Sequence, residues 1–109
     1  MATAYKVLGQ SNPAATTLTS LYTVPASTSA IVSTITVANN SATDATFRIS
    51  IAVAGAADTA KQYIAYDSTV RGNGFITFTL GITLATTDII KVYASGTTLI
   101  FNAFGSEIS

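Results

Sequence analysis

Thr46-Phe47-Arg48-Ile49-Ser50-Ile51-Ala52-Val53 alternates along its whole length. Phe47, Ile49, Ile51 and Val53 share one side, and Thr46, Arg48, Ser50 and Ala52 share the other. Successive side chains of an extended chain point to opposite faces, so this stretch predicts a strand with one buried and one wet face. Residues 75–80 repeat the pattern, with Ile76, Phe78 and Leu80 inward and Thr77 and Thr79 outward. Residues 30–39 form a longer β-branched run, with Ile31, Ile35 and Val37 on one parity and Val32, Thr34 and Thr36 on the other. Residues 88–94 and 98–104 predict a hairpin about Ser95-Gly96, and residues 18–24 and 62–66 predict weaker strands. No stretch longer than a turn carries helical periodicity, although residues 54–61 leave room for one short turn.

Turn formers punctuate these runs. Pro25 closes one, Asn39-Asn40-Ser41 the next and Gly55 a third, while Arg71-Gly72-Asn73-Gly74 supplies residues that tolerate positive φ. Short strands recurring at this spacing predict an all-β chain, a two-sheet antiparallel β-sandwich. Jelly-roll-like order leads and immunoglobulin-like order is the alternative, because turn spacing does not rank strands within a sheet. The expected core is Phe47, Ile49, Ile51, Ile76, Phe78, Leu80, Ile90, Val92 and one parity of residues 99–104.

Residues 17–109 read as a single sandwich domain, and residues 1–16 stand apart. Ala2 to Gln10 alternates weakly before Ser11-Asn12-Pro13-Ala14-Ala15 interrupts it. The segment is either an edge strand or an arm laid on a neighbour by strand addition. Docked as an arm on another chain, the segment buries Tyr5, Val7 and Leu8, which are the expected protein-interface residues.

The composition points away from chemistry. Among 109 residues there is no His, Cys or Trp, and five basic residues balance five acidic ones. Side-chain catalysis and metal binding draw mainly on His, Cys, Asp, Glu and Lys. The carboxylates Asp44, Asp58, Asp67, Asp88 and Glu107 are scattered singly. The expectation is therefore no catalytic residue, no metal and no cofactor. No run of Lys or Arg suggests nucleic-acid binding. No apolar stretch approaches the roughly 18 residues of a membrane span, and the start lacks the apolar run of a signal peptide. Hydrophobic residues make up 49% and charged residues 9%, against about 25% charged in ordinary soluble domains. So little charge predicts self-association or cover by a larger scaffold.

Individual motifs are weak by themselves. Tyr63-Ile64-Ala65-Tyr66-Asp67 sets an acid beside two phenols, a combination able to bind sugar, although a single Asp at a strand end also forms turns. Asp44 and Asp58 read as turn caps. Asn39-Asn40-Ser41 matches a glycosylation sequon by accident of turn composition. Thr34/Thr36 and Thr77/Thr79 have the spacing of an ice-binding array only as isolated pairs, and read as outward strand threonines.

With the strands placed, several segments stand out in order. They are Leu21-Tyr22-Thr23-Val24-Pro25-Ala26, Ile31 through Asn39, Ala45-Thr46-Phe47-Arg48-Ile49, Tyr63-Ile64-Ala65-Tyr66-Asp67, Thr79-Leu80-Gly81-Ile82-Thr83-Leu84 and Asn102-Ala103-Phe104-Gly105. Together they resemble small β-sandwich virion structural proteins of tailed bacteriophages, cyanophages included, from about Thr17 onward. The resemblance implies a non-enzymatic structural role. Small size, neutral charge and hydroxyl-rich faces favour a capsid decoration (cement) protein on the virion head surface, assembled in the host cytoplasm. A tail, neck or baseplate component is the alternative, and a carbohydrate-binding β-sandwich of a receptor-binding fibre is an alternative of another class. The implied partners are other copies of itself, three by family analogy, and the major capsid protein, with no nucleic acid and no membrane.

Overall fold

The computed structural model describes residues 2–109; Met1, the first residue of the expected arm, lies outside them. Among the described residues nine strands form: β1 (Thr3–Ser11), β2 (Thr19–Thr23), β3 (Ser29–Asn39), β4 (Ala45–Ala52), β5 (Tyr63–Val70), β6 (Phe75–Phe78), β7 (Ile82–Leu84), β8 (Ile89–Ala94) and β9 (Leu99–Ile108). The helical content is two 3-10 turns, Val53–Gly55 and Ala60–Gln62, where one short turn was expected.

The strands make a two-sheet antiparallel sandwich. One sheet runs β1-β9-β3-β6 with β7 also on β3, and the other runs β2-β8-β4-β5. All of these pairings are antiparallel. β6 pairs with Ile35 to Ala38 and β7 with Ala30 to Val32, so the two are halves of one interrupted strand. Counted that way, first and last strands are neighbours in one sheet and the second and penultimate in the other. This is jelly-roll order, and the immunoglobulin-like alternative falls away.

β4 follows its alternation only in part: Val53, expected inward, is 66% exposed in the 3-10 turn that begins where β4 ends at Ala52, and Ser50 and Ala52, expected on the wet face, are buried. Phe47 and Ile49 are fully buried, and Ile51 packs against the core from a half-buried position. Phe47 meets Phe78 edge-on at 5.8 Å and Phe101 at 6.1 Å between ring centroids. Phe78 and Phe101 belong to the opposite sheet, so this trio ties the two layers together. Ile90, Val92, Leu99, Phe101 and Ala103 complete the expected interior, joined by Leu21, Val24, Val32, Val37, Val70 and Leu84.

Three further expectations need correction, and one open alternative is decided. Leu80 is 55% exposed, because β6 ends at Phe78 and Gly81, at φ +64, turns the chain before β7. Ile31 and Val32 exchange faces, so Val32 is buried and Ile31 is exposed. A register shift between Val32 and Thr34 inserts Ser33 as an extra residue, and one inserted residue inverts the parity of everything before it. Residues 88–94 and 98–104 do not form a hairpin, since β8 and β9 lie in different sheets and Ser95 to Thr98 cross between them. Of the two alternatives for residues 3–11, the edge strand is the one that forms. These residues make β1, paired with β9 across the register Thr3–Ile108 to Ser11–Phe101, at the edge of this chain's own sheet.

Gly9 shows how tightly β1 is seated. A Cβ there would lie 2.2 Å from the Leu21 carbonyl oxygen of β2, a separation no side chain tolerates. Glycine lets the two sheets approach at this seam.

Phe47→Ala should cost about 3–5 kcal/mol of unfolding free energy, whereas Leu80→Ser should cost under about 0.5 kcal/mol. Urea unfolding of both variants checks the assigned faces, and equal losses would show them wrong. Deleting residues 2–12 would strip β9 of one of its two partners and expose that side of it, so loss of folding is the expected result; a stably folded truncation would restore the arm.

Candidate functional site

The outer faces of the two sheets differ in chemistry, and each is built by the ladder registers. On the four-stranded sheet Arg48 stands opposite Tyr93 of β8. On its other side β4 and β5 fall out of step between Phe47 and Ile49, so Tyr66 and Asp67 together face the single residue Arg48. Asp67 takes φ 51 there, a left-handed conformation that Asp accepts more readily than most residues.

This bulge assembles a compact cluster. The Arg48 guanidinium lies 4.1 Å from the Tyr66 ring centroid and 4.4 Å from that of Tyr93. Arg48 Nε donates to Asp67 Oδ1 at 2.7 Å and Nη2 donates to Oδ2 at 3.3 Å, a fork-to-carboxylate pair. Tyr63 packs edge-on against Tyr66 at 5.0 Å and donates its hydroxyl to Asp58 Oδ2 at 2.7 Å. Burial first, and that hydrogen bond second, push the Tyr63 phenol above its ordinary pKa. Tyr66 remains 58% exposed. The sequence placed Tyr63, Tyr66 and Asp67 together; it gave no sign of Arg48 or Tyr93, which arrive from β4 and β8.

The outer face of the five-stranded sheet carries no charged side chain among the described residues. Its cross-strand rows are Tyr5, Ser106, Ile31 and Thr83; then Val7, Phe104 and Thr34; then Gln10, Asn102, Thr36 and Thr77; then Ile100, Ala38 and Phe75. Tyr5, Val7, Ile31 and Phe75 are exposed. Gln10, Asn12, Asn40 and Asn102 line a shallow groove around Ile100. Isolated apolar surface residues are ordinary, whereas apolar side chains gathered on one uncharged face mark a contact surface.

Of the expected interface residues, Tyr5 and Val7 stand in solvent on this face. Leu8 parts from them: it is the extra residue where β1 and β9 shift register between Val7 and Gly9, and it packs against the core.

Each carboxylate holds a partner. Asp44 accepts from the Gly72 N–H, and Asp88 from Ala54 and Ala85 N–H groups. Asp44 is thus the turn cap expected, while Asp58 receives the Tyr63 hydroxyl. The sequon asparagine, Asn39, is buried, with its amide donated to the Thr43 and Val70 carbonyls. Glu107 of β9 joins the sheets, taking Lys6 Nζ of β1 at 2.7 Å and the hydroxyl of Tyr22 of β2. Among the described residues no three metal-ligating side chains gather.

No family model matches this sequence, and a search of curated proteins finds no relative.

The Lys6 contact first, and the Tyr22 hydroxyl second, hold the Glu107 carboxyl below its ordinary range. A depressed carboxyl pKa contributes stability that is present above the unfolded value, about 4.3, and is lost as pH falls through the folded value. Glu107→Gln should therefore flatten the acid side of the stability profile. Urea unfolding at about pH 6 and about pH 3 measures it, and parallel losses in both proteins would remove Glu107 from the account.

Proposed function

We propose that this protein is a non-enzymatic structural component of a tailed-bacteriophage virion, a capsid decoration protein that lies on the major capsid protein lattice and on its own copies. The observation that carries a contact role is the uncharged outer face of the five-stranded sheet, with Tyr5, Val7, Ile31 and Phe75 standing in solvent. Such a face loses little by leaving water, because it holds no ion to desolvate, and its apolar area gains from cover. The phage assignment itself rests on the sequence resemblance. The same chemistry would serve a tail, neck or baseplate component, and position in the particle separates these.

The fold does not choose among functions, since jelly rolls build both capsid and lectin domains. One observation favours a second reading, a carbohydrate-binding sandwich on a receptor-binding fibre. Tyr66 is exposed beside Tyr63, Arg48 and Asp67, giving an aromatic ring with polar neighbours. Against it, Arg48 already occupies one face of the Tyr66 ring and spends its fork on Asp67. The decoration reading uses the larger and otherwise unengaged surface.

Two variants distinguish the readings. Phe75→Asp puts a charge on the uncharged face at an exposed position, so it should fold normally and be lost from purified particles. Tyr66→Ala should leave retention unchanged and, on the second reading alone, abolish binding to host surface polysaccharide. Copy number near that of the major capsid protein is the expected outcome for decoration; a few tens of copies or fewer would move the protein to the tail or neck.

A further inference from the structure

We infer that two copies of this chain join through their β1 edges, antiparallel about a two-fold axis, with Tyr5 opposite Tyr5. The inference rests on the contact role proposed above and names one partner for it, a second copy.

The hydrogen-bond phase of β1 fixes which backbone groups are free. Ala2 N–H donates to Ser109 at 2.8 Å and Ser109 N–H donates back to Ala2 at 2.9 Å. In an antiparallel ladder such pairs alternate with pairs whose backbone groups point away. The next bonded pairs are then Ala4 with Glu107 and Lys6 with Gly105, following the register. Thr3, Tyr5 and Val7 accordingly turn their N–H and C=O groups to the open edge. Every residue from Thr3 to Val7 is exposed, so nothing among the described residues covers this half of the strand on either face.

Natural sheets blunt an open edge with proline, a bulge or charge. Thr3 to Val7 has no proline, and the bulge comes after it at Leu8. Its one charge, Lys6, is engaged by Glu107 of the same chain at 2.7 Å. The edge is therefore left able to pair.

Charge then selects the register. Free groups must meet free groups, so Thr3, Tyr5 and Val7 can oppose only one another. Tyr5 against the partner's Tyr5 sets Thr3 against the partner's Val7 and Lys6 against the partner's Ala4. Sliding by two residues in one direction brings Lys6 against the partner's Lys6, a like-charge pair that costs stability. Sliding by two in the other direction carries Val7 beyond the partner's Thr3, so the ladder among the described residues of β1 is shorter. The centred register also runs the row that begins at Tyr5 into its own copy and the row that begins at Val7 into the partner's row that begins at Thr3, so the uncharged face is continuous across both. Such a contact is isologous and closes on itself. It gives a dimer, where the resemblance implies three.

Sedimentation of the full chain at micromolar concentration should show the dimer. Tyr5→Pro removes an N–H that points away from β9, a position where an edge strand accepts proline. One cross-copy hydrogen bond is lost from each side, so dissociation should become roughly tenfold easier or more, with the circular dichroism of the fold unchanged. The chain has no Cys, so Tyr5→Cys supplies a single thiol facing its twin at about 5.5 Å between Cα atoms, within disulfide reach. Mild oxidation should link Tyr5→Cys into covalent dimers, and Thr3→Cys or Val7→Cys alone should stay unlinked. A monomeric or trimeric wild-type chain overturns the inference, as does Tyr5→Cys linking no faster than Thr3→Cys. Should Tyr5→Pro fail to fold, the cysteine comparison decides. A monomer that still decorates heads sinks the dimer alone, and a dimer absent from particles sinks the decoration role alone.

Discussion

Phe47 reaches from the four-stranded sheet into an edge-on contact with Phe78 and Phe101 of the other, and the placement of both layers depends on it. Edge-to-face rings fix distance and tilt as well as burying area. Around that trio the remaining inward positions are aliphatic and small: Val24, Val32, Ile35, Val37, Ile49, Ile90, Val92 and Ala103 are all buried. With no cysteine in the chain to form a disulfide, the sandwich relies on this interdigitation, closed at its margin by the Gly9–Leu21 approach and the bridge from Lys6 through Glu107 to Tyr22.

With the interior this apolar, the sparse charge is left to the loops, the sheet edges and the outer faces, and its distribution there is uneven. Arg48 and Lys91 project from the four-stranded sheet, whose register pairs them with Tyr93 and Ser50. The opposite face has only hydroxyl, amide and apolar side chains among its paired rows. A sandwich with one charged and one uncharged face is oriented, because the two sides differ in what it costs to take them out of water. The proposed contact role and the proposed pairing at β1 would use the same side of the molecule, and the β1 edge is where that side meets open backbone.

Irregularities in the ladders carry much of the functional character. One inserted residue at Ser33 turns Ile31 outward; another at Leu8 parts Leu8 from Tyr5 and Val7; and the paired insertion opposite Arg48 delivers Tyr66 and Asp67 to one guanidinium. Ser50 is buried with its hydroxyl unpartnered, next to a further register shift between Ile49 and Ser50. Bulges of this kind redirect side chains at the cost of local pairing.

The sequence alone determined that the chain would be a two-layer β-sandwich and which face of β4 would be buried, because a period of two is local and Phe47 and Ile49 declare it. It also placed most of the turns, since Pro25, Asn39 and the Arg71 to Gly74 stretch act on their own backbone. Only the tertiary structure decided strand order, because partners such as Thr3 and Ile108 lie nearly a chain length apart and no local pattern encodes their meeting. It alone sent β8 and β9 to different sheets, broke one strand at Leu80-Gly81 and inverted the parity of Ile31 and Val32. A bulge is one residue of mismatch between two strands, a property of the pair that neither sequence shows by itself. For the same reason Tyr63, Tyr66 and Asp67 could be read as a group from their spacing, whereas Arg48 and Tyr93 join them only when three strands are laid side by side.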